Sequence, residues 1–197
     1  QRQMCIRDRI KSVLLAGVGG QGILKASDIM CAVMMEAGFD VKKSEVHGMA
    51  QRGGCVTSHV RYGSKVYSPL EKAGSIQTLV SFEKMESLRY LHYLRKDSSI
   101  IVNSEKINPP AVNIGNTPYP ADIIKYLKGK FKLVMDIDAS DLAKKADSVK
   151  TSNIVLLGAL SKLMNIDRRI WVKLIERSFP EKLVKMNIDA FQMGIDA

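Results

Sequence analysis

The sequence predicts an α/β fold: a Rossmann-like, largely parallel sheet flanked by helices, with a C-terminal helical cap. Three observations carry this expectation. A short apolar run breaks into a cluster of glycines and resumes with helical spacing. Short β-type runs then alternate with helix-type segments as far as Ile137. From Asp138 onward the spacing is wholly helical.

The elements follow in order. Ile10 to Ala16 (IKSVLLA) is an apolar run suited to a buried strand. It meets Gly17-Val18-Gly19-Gly20-Gln21-Gly22, after which Ile23, Leu24, Ala26, Ile29, Met30, Val33, Met34 and Ala37 keep helical spacing until Gly38. A strand over Phe39 to Val46 completes a βαβ opening of the size of a mononucleotide-binding half-fold. A glycine-rich connector, His47 to Gly54, leads to alternation over Cys55 to Tyr62, and Gly63-Ser64 suggests a tight hairpin into Lys65 to Tyr67. Ser75 to Ser81 reads as a strand, Phe82 to Leu94 as a helix and Ser99 to Val102 as a strand. Four prolines make Asn108 to Pro120 irregular; a short helix over Ala121 to Leu127 and a last strand over Phe131 to Ile137 follow. Helices are expected over Ala139–Ala146, Asn153–Met164, Asp167–Phe179 and Glu181–Met193.

A chain of 197 residues has room for one such domain, and residues 10–197 are expected to form it. Residues 1–9 carry no periodicity and no apolar leader, and are set aside as a tail or scar. No run approaches the roughly 18 to 20 apolar residues of a membrane-spanning helix, so no membrane partner is expected. Three cysteines, Cys5, Cys31 and Cys55, form no metal-ligand spacing and fall short of the four thiolates of an iron-sulfur cluster; no metal site and a cytoplasmic location are expected. The net charge of +10 is scattered, without an aromatic-basic RNA signature, so no nucleic-acid partner is expected.

The glycine loop is the sharpest local signal. A strand ending in Gly-x-Gly-x-x-Gly and opening a helix leaves backbone N–H groups unpaired at the positive end of the helix dipole, where glycines let a phosphate approach. Gly17, Gly19, Gly20, Gln21 and Gly22 are therefore the candidate cofactor-binding residues; a tight turn that binds nothing is the alternative. Glu45 stands near the place of a ribose-binding acid, but Lys42 and Lys43 precede it and His47 follows, and the lysines suit a phosphate-bearing ligand better, or plain solvation. The stretch Ser44 to Arg61 is richer in glycine, histidine and arginine than a spacer needs to be, and Arg52 offers a planar fork to a carboxylate or phosphate. Asp138 or Ser140 reads as a helix N-cap rather than part of a magnesium site. There is no Gly-x-Ser-x-Gly elbow, no HExxH and no Walker lysine, and no residue is assigned a catalytic role.

The glycine loop, then Ser44-Glu45-Val46-His47-Gly48-Met49-Ala50-Gln51-Arg52-Gly53-Gly54 and Ser58-His59-Val60-Arg61, resemble the small subunit of indolepyruvate:ferredoxin oxidoreductase and, more broadly, the gamma domain of the pyruvate and 2-ketoisovalerate ferredoxin oxidoreductases. Asn153 to Ala159, Phe179-Pro180 and Asn187 to Gly194 resemble that subunit's closing helices. The resemblance implies a non-cluster-bearing subunit of a heteromeric 2-oxoacid:ferredoxin oxidoreductase, inactive alone. It also implies a large partner subunit holding thiamine diphosphate and [4Fe-4S] clusters, and ferredoxin as electron acceptor of the complex. It places coenzyme A at Gly17–Gly22. The connector, too polar for core and too constrained for a spacer, is expected to turn Glu45, His47, Gln51, Arg52 and Gly53 toward the partner and its active site. The rival expectation is a free-standing nucleotide- or flavin-binding module on the same loop.

Overall fold

A computed structural model describes residues 10–48, 54–115 and 117–197. The chain runs β1 (Lys11–Val18), α1 (Ile23–Glu36), β2 (Asp40–His47), β3 (Cys55–Gly63), β4 (Ile76–Ser81), α2 (Lys84–Arg89), β5 (Leu94–Asn103), α3 (Pro110–Asn113), α4 (Ile123–Lys130), β6 (Leu133–Ile137), α5 (Ala139–Lys145), α6 (Ser152–Ser161), α7 (Arg168–Ser178) and α8 (Glu181–Asp196). The six strands lie in the order β2-β3-β1-β4-β5-β6. β1, β4, β5 and β6 are mutually parallel, while β3 runs antiparallel to both β1 and β2.

The parallel strands are apolar on both sides because both sides are covered. On β1, Val13 and Leu15 join one core with α1 and the helical tail; Leu14 and Ala16 join a second with Ile123 and Leu127 of α4. Within the tail, α6 and α8 meet through glycine. A Cβ on Gly158 would stand 2.1 Å from the Phe191 carbonyl oxygen, and one on Gly194 would stand 1.9 Å from that of Val155. Trp171 and Phe191 stack beside this contact, ring centroids 5.7 Å apart.

Three expectations are corrected. The βαβ opening is split: β2 points the same way as β1, but β3 is inserted between them. Burial explains the order. β3 buries Thr57, Ser58, Val60 and Tyr62, whereas β2 (DVKKSEVH) has no buried residue and fits only an edge. Lys65–Tyr67 is not a strand, because the Val66 N–H donates to Asp40 Oδ2 at 2.8 Å instead of to a neighbouring strand. The helix expected over Phe82–Leu94 is cut at both ends. The Phe82 N–H donates to the Ala16 carbonyl, Glu83 caps α2, and Leu94 already opens β5 after a single 3-10 turn at Leu91–Tyr93.

Candidate functional site

The glycine loop follows β1 at the carboxyl end of the parallel strands, where open α/β sheets place ligands. Gly20 (φ 100°) and Gly22 (φ 76°) adopt the left-handed conformation that a side chain would resist. Gln21 braces the loop from behind. Its Oε1 accepts the Val18 N–H at 2.8 Å, and its Nε2 donates to the Phe82 carbonyl at 2.8 Å and to Glu105 Oε2 at 3.0 Å. Gly17 packs against the same brace: a Cβ there would meet Gln21 Oε1 and Phe82 Cβ, each at 2.7 Å.

In front of the loop lies a cavity of about 560 Å³, bounded by Gly19, Gly20 and Gly22, by Ile23 to Lys25 of α1, and by His47, Gly48 and Val56. Three features make it receptive to an anion. Gly22 is the N-cap of α1 and offers no side-chain cap, so the first intrahelical bond is Ala26 N–H to the Gly22 carbonyl at 3.0 Å. The N–H groups of Ile23, Leu24 and Lys25 precede that bond and lack helical partners. No acidic residue occupies the first turn. Lys25 adds a full charge, its Nζ 5.0 Å from the Phe179 ring centroid. Asn153, buried at the start of α6, donates from Nδ2 to the Gly22 carbonyl at 3.2 Å and fixes the N-cap from the tail side. The Gly19 N–H is committed to the Gly54 carbonyl at 2.8 Å, which ties the loop to the base of β3.

Of the residues singled out from sequence, Gly19, Gly20, Gly22 and His47 line this cavity, while Gly17 and Gln21 form its backing. Glu45 lies on β2, 2.5 Å from Lys43 Nζ and 3.7 Å from His47 Nε2. Lys43 also meets Asp28 of α1, and Lys42 pairs with Asp40 at 2.9 Å, so both lysines are neutralised by acids of the chain itself. Gln51, Arg52 and Gly53 lie outside the described residues. Asp138 accepts the Asp141 N–H at 2.9 Å and is the N-cap of α5. Lys25 and Asn153 lie outside the glycine motif; their signals in the sequence are a cation on the third helical residue after Gly22 and an asparagine opening the apolar run Ile154–Leu160.

Across β1 lies a second cavity of about 350 Å³, with Val18, Cys55, Glu83, Glu86, Arg89 and Asn108 among its walls. Glu83 is 1% exposed and fully engaged, accepting from Glu86 N–H at 3.0 Å, Ile107 N–H at 3.2 Å and Tyr119 Oη at 2.5 Å. Burial raises the Glu86 carboxyl above its ordinary value, against the pull of Arg89 3.1 Å away. Burial likewise pushes up the Tyr90 hydroxyl beside Cys55, and drives the Cys31 thiol to about 11. Both cavities open at the carboxyl end of β1, and the first is the one equipped for an anionic ligand.

The chain matches the pyruvate ferredoxin/flavodoxin oxidoreductase family over residues 12–197. It is 37% identical over 194 residues to indolepyruvate oxidoreductase subunit IorB of Thermococcus kodakarensis, covering 94% of this chain and 95% of that one. Among solved structures, a keto/oxoacid ferredoxin oxidoreductase gamma subunit from Geobacter sulfurreducens superimposes with a TM-score of 0.71 at 23% identity, covering 94% of this chain and 96% of that one. A 2-oxoglutarate:ferredoxin oxidoreductase from Magnetococcus marinus superimposes with a TM-score of 0.76 at 22% identity, over 96% of this chain and 31% of that longer one. A family match that spans the whole fold, with a relative so similar from end to end, makes this chain a member of the pyruvate ferredoxin/flavodoxin oxidoreductase family.

Proposed function

We propose that this chain is the non-cluster-bearing subunit of an indolepyruvate-type 2-oxoacid:ferredoxin oxidoreductase, and that the glycine cavity receives the phosphates of coenzyme A. The observation that carries the subunit reading is the near end-to-end match to an indolepyruvate oxidoreductase subunit. The cavity supports the ligand reading: an uncapped helix N-terminus, two left-handed glycines and Lys25 face one open space. The M. marinus enzyme, which shares this fold, was solved with coenzyme A bound.

Decarboxylation and electron removal draw on thiamine diphosphate and [4Fe-4S] clusters, which this reading assigns to the large partner subunit, with ferredoxin as final acceptor. This chain's own part is positional. The N–H groups of Ile23 to Lys25 and the Lys25 ammonium would hold a diphosphate, and Gln21 and Asn153 keep the loop in the shape that exposes those donors. A coenzyme A held there would supply the thiol that accepts the acyl group. The two ends of the connector, His47 and Gly54, lie at the carboxyl end of the sheet, and this reading assigns the residues between them to the contact with the partner.

The test is reconstitution. Purified alone, the chain is expected to be colourless and to leave a viologen dye oxidised with indolepyruvate and coenzyme A. Co-expressed with its large subunit, it should yield a brown complex that reduces the dye. Robust turnover by the isolated chain, or no association with the large subunit, contradicts the assignment.

A further inference from the structure

The end of the sheet opposite the glycine cavity carries a loop built more rigidly than a connection needs. Residues 64–75 join β3 to β4. Val66 is buried, and its N–H is held by Asp40 Oδ2 at 2.8 Å. Arg61 gathers the middle of the loop: its Nη1 donates to the carbonyls of Ser68 at 2.7 Å and Leu70 at 3.1 Å. Arg61 Nε lies 2.8 Å from Glu71 Oε1, a charge contact whose angle is too poor for a hydrogen bond. Leu70 N–H donates to Ser68 Oγ at 3.2 Å, and Ser75 Oγ donates to Glu71 Oε2 at 2.6 Å.

On this frame stand two of the three most exposed large hydrophobic side chains among the described residues. Tyr67 is 85% exposed and Leu70 67%, against 69% for Ile114 at the other end of the sheet. Fixing a backbone costs conformational entropy, and here little apolar burial offsets it beyond Val66. What the rigidity supplies is preorganisation: an apolar pair already held in place loses little further freedom when it docks. Tyrosine in that setting is a frequent anchor of protein interfaces. The charge around the pair is also selective. Glu71 is matched by Arg61, which leaves exposed Lys65 and Lys72 with no carboxylate at ion-pairing distance among the described residues. Lys65 Nζ lies 6.0 Å from the Tyr67 ring centroid, so the cation and the aromatic present one surface.

We infer that residues 64–75 are a preformed docking element for an acidic surface of the large partner subunit, with Tyr67 and Leu70 as apolar anchors and Lys65 and Lys72 facing carboxylates. The inference rests on the subunit reading above and adds a second contact, at the end of the sheet away from the cavity. A second copy of the chain is a poorer occupant, since a two-fold contact would set the same lysines against each other. Two lysines are also few for a nucleic-acid backbone, whose binding grows with the number of phosphates neutralised.

The experiment measures the affinity of the full chain for the separately purified large subunit at two salt concentrations. It compares wild type with Tyr67→Ala/Leu70→Ser, Lys65→Glu/Lys72→Glu and, as a control on an exposed face of α5, Lys144→Ala. Wild type and the control should associate alike. The apolar double variant should bind about tenfold or more weakly, as for loss of an interface anchor. The charge-reversed variant should bind more weakly and lose most of its salt dependence. All four chains should unfold at similar temperatures, because the replaced side chains are exposed. Double variants that bind within about twofold of a wild type that does associate overturn the docking element and leave the subunit reading intact. A wild type that fails to associate removes both. Loss of self-association or of duplex DNA binding in the variants, with affinity for the large subunit unchanged, also overturns the inference.

Discussion

At the residue scale the glycine loop divides its work between residues that shape it and residues that can meet a ligand. Gln21 and Asn153 spend their side chains on the backbone of the loop, whereas Lys25 faces the cavity. Lys25→Ala should therefore raise the KM for coenzyme A in the assembled enzyme, about tenfold or more for the loss of a charged hydrogen bond, with kcat at saturating coenzyme A nearly unchanged. Steady-state kinetics with coenzyme A as the varied substrate checks it, and an unchanged KM returns the loop to a tight turn that binds nothing. His59 offers a second prediction. Burial holds its imidazole below the ordinary 6.5, with Glu71 pulling the other way, and its Nδ1 is buried with no hydrogen-bond partner among the described residues. The unfolded chain therefore binds the proton first, so stability should fall as pH drops through 6.5 toward the lower folded value. Glu86 acts with the opposite sign: its carboxyl is raised, so its contribution is present at low pH and is lost as pH rises through the raised value. The difference between wild type and His59→Gln in urea unfolding at pH 7.5 and 5.5 isolates the histidine. Equal pH dependence of the two chains would remove it as the cause.

At the scale of elements, the order of strands follows from which of them can be buried. β3 tolerates a neighbour on each side, and β2, with Lys42, Lys43 and Glu45, does not. The α1 N-terminus is left free because Gly22, which has no side chain to cap it, occupies the N-cap. In the tail, α6 and α8 approach until backbone meets backbone at Gly158 and Gly194. Gly158→Ala must push these helices apart and should cost about 2–3 kcal/mol, or more, of overpacking strain. In a chain of this size that lowers the melting temperature by roughly 5–10 °C. Because Asn153 reaches the Gly22 carbonyl from the start of the same helix, the variant should also loosen the loop. Thermal unfolding of the two chains decides it; an unchanged melting temperature would mean that the helices have room to part.

For the whole molecule, the carboxyl end of the sheet collects the glycine cavity, the second cavity and both ends of the connector from His47 to Gly54, while the opposite end displays Tyr67 and Leu70. Among the described residues no helix is long and apolar enough to cross a membrane. Arg52 belongs to the connector outside the described residues, and its role as principal polar contact to the large subunit is proposed from sequence alone. Arg52→Ala should weaken assembly or turnover by about 2 kcal/mol or more, the cost of leaving a charge unmatched in a water-poor interface. Arg52→Lys should recover part of it, since lysine keeps the charge and loses the fork. Lys144→Ala, on an exposed helix face, should behave as wild type. Dissociation constants for the three complexes check this, and equal behaviour of Arg52→Ala and Lys144→Ala would reduce the connector to a turn.

The sequence by itself determined the class of fold, the strand-loop-helix at the glycines, the helical tail and the family. Each of these is written in local terms: apolar runs bounded by glycine, spacing of 3.6 residues, and the string from Ser44 to Gly54. The order of strands was decided by tertiary structure, because inserting β3 between β1 and β2 is a competition between strands for burial that no single segment records. The same holds for the ends of α2. Phe82 carries helical spacing, but its N–H is claimed by the Ala16 carbonyl some 66 residues earlier in the chain. It holds again for the division of labour at the loop: Gln21 turns inward because Phe82 and Glu105 are there to receive it, and Lys25 faces the cavity because the fold leaves that side of α1 open. Hydrogen bonds and burial between residues far apart in the chain set these choices, and those distances close only when the sheet has formed.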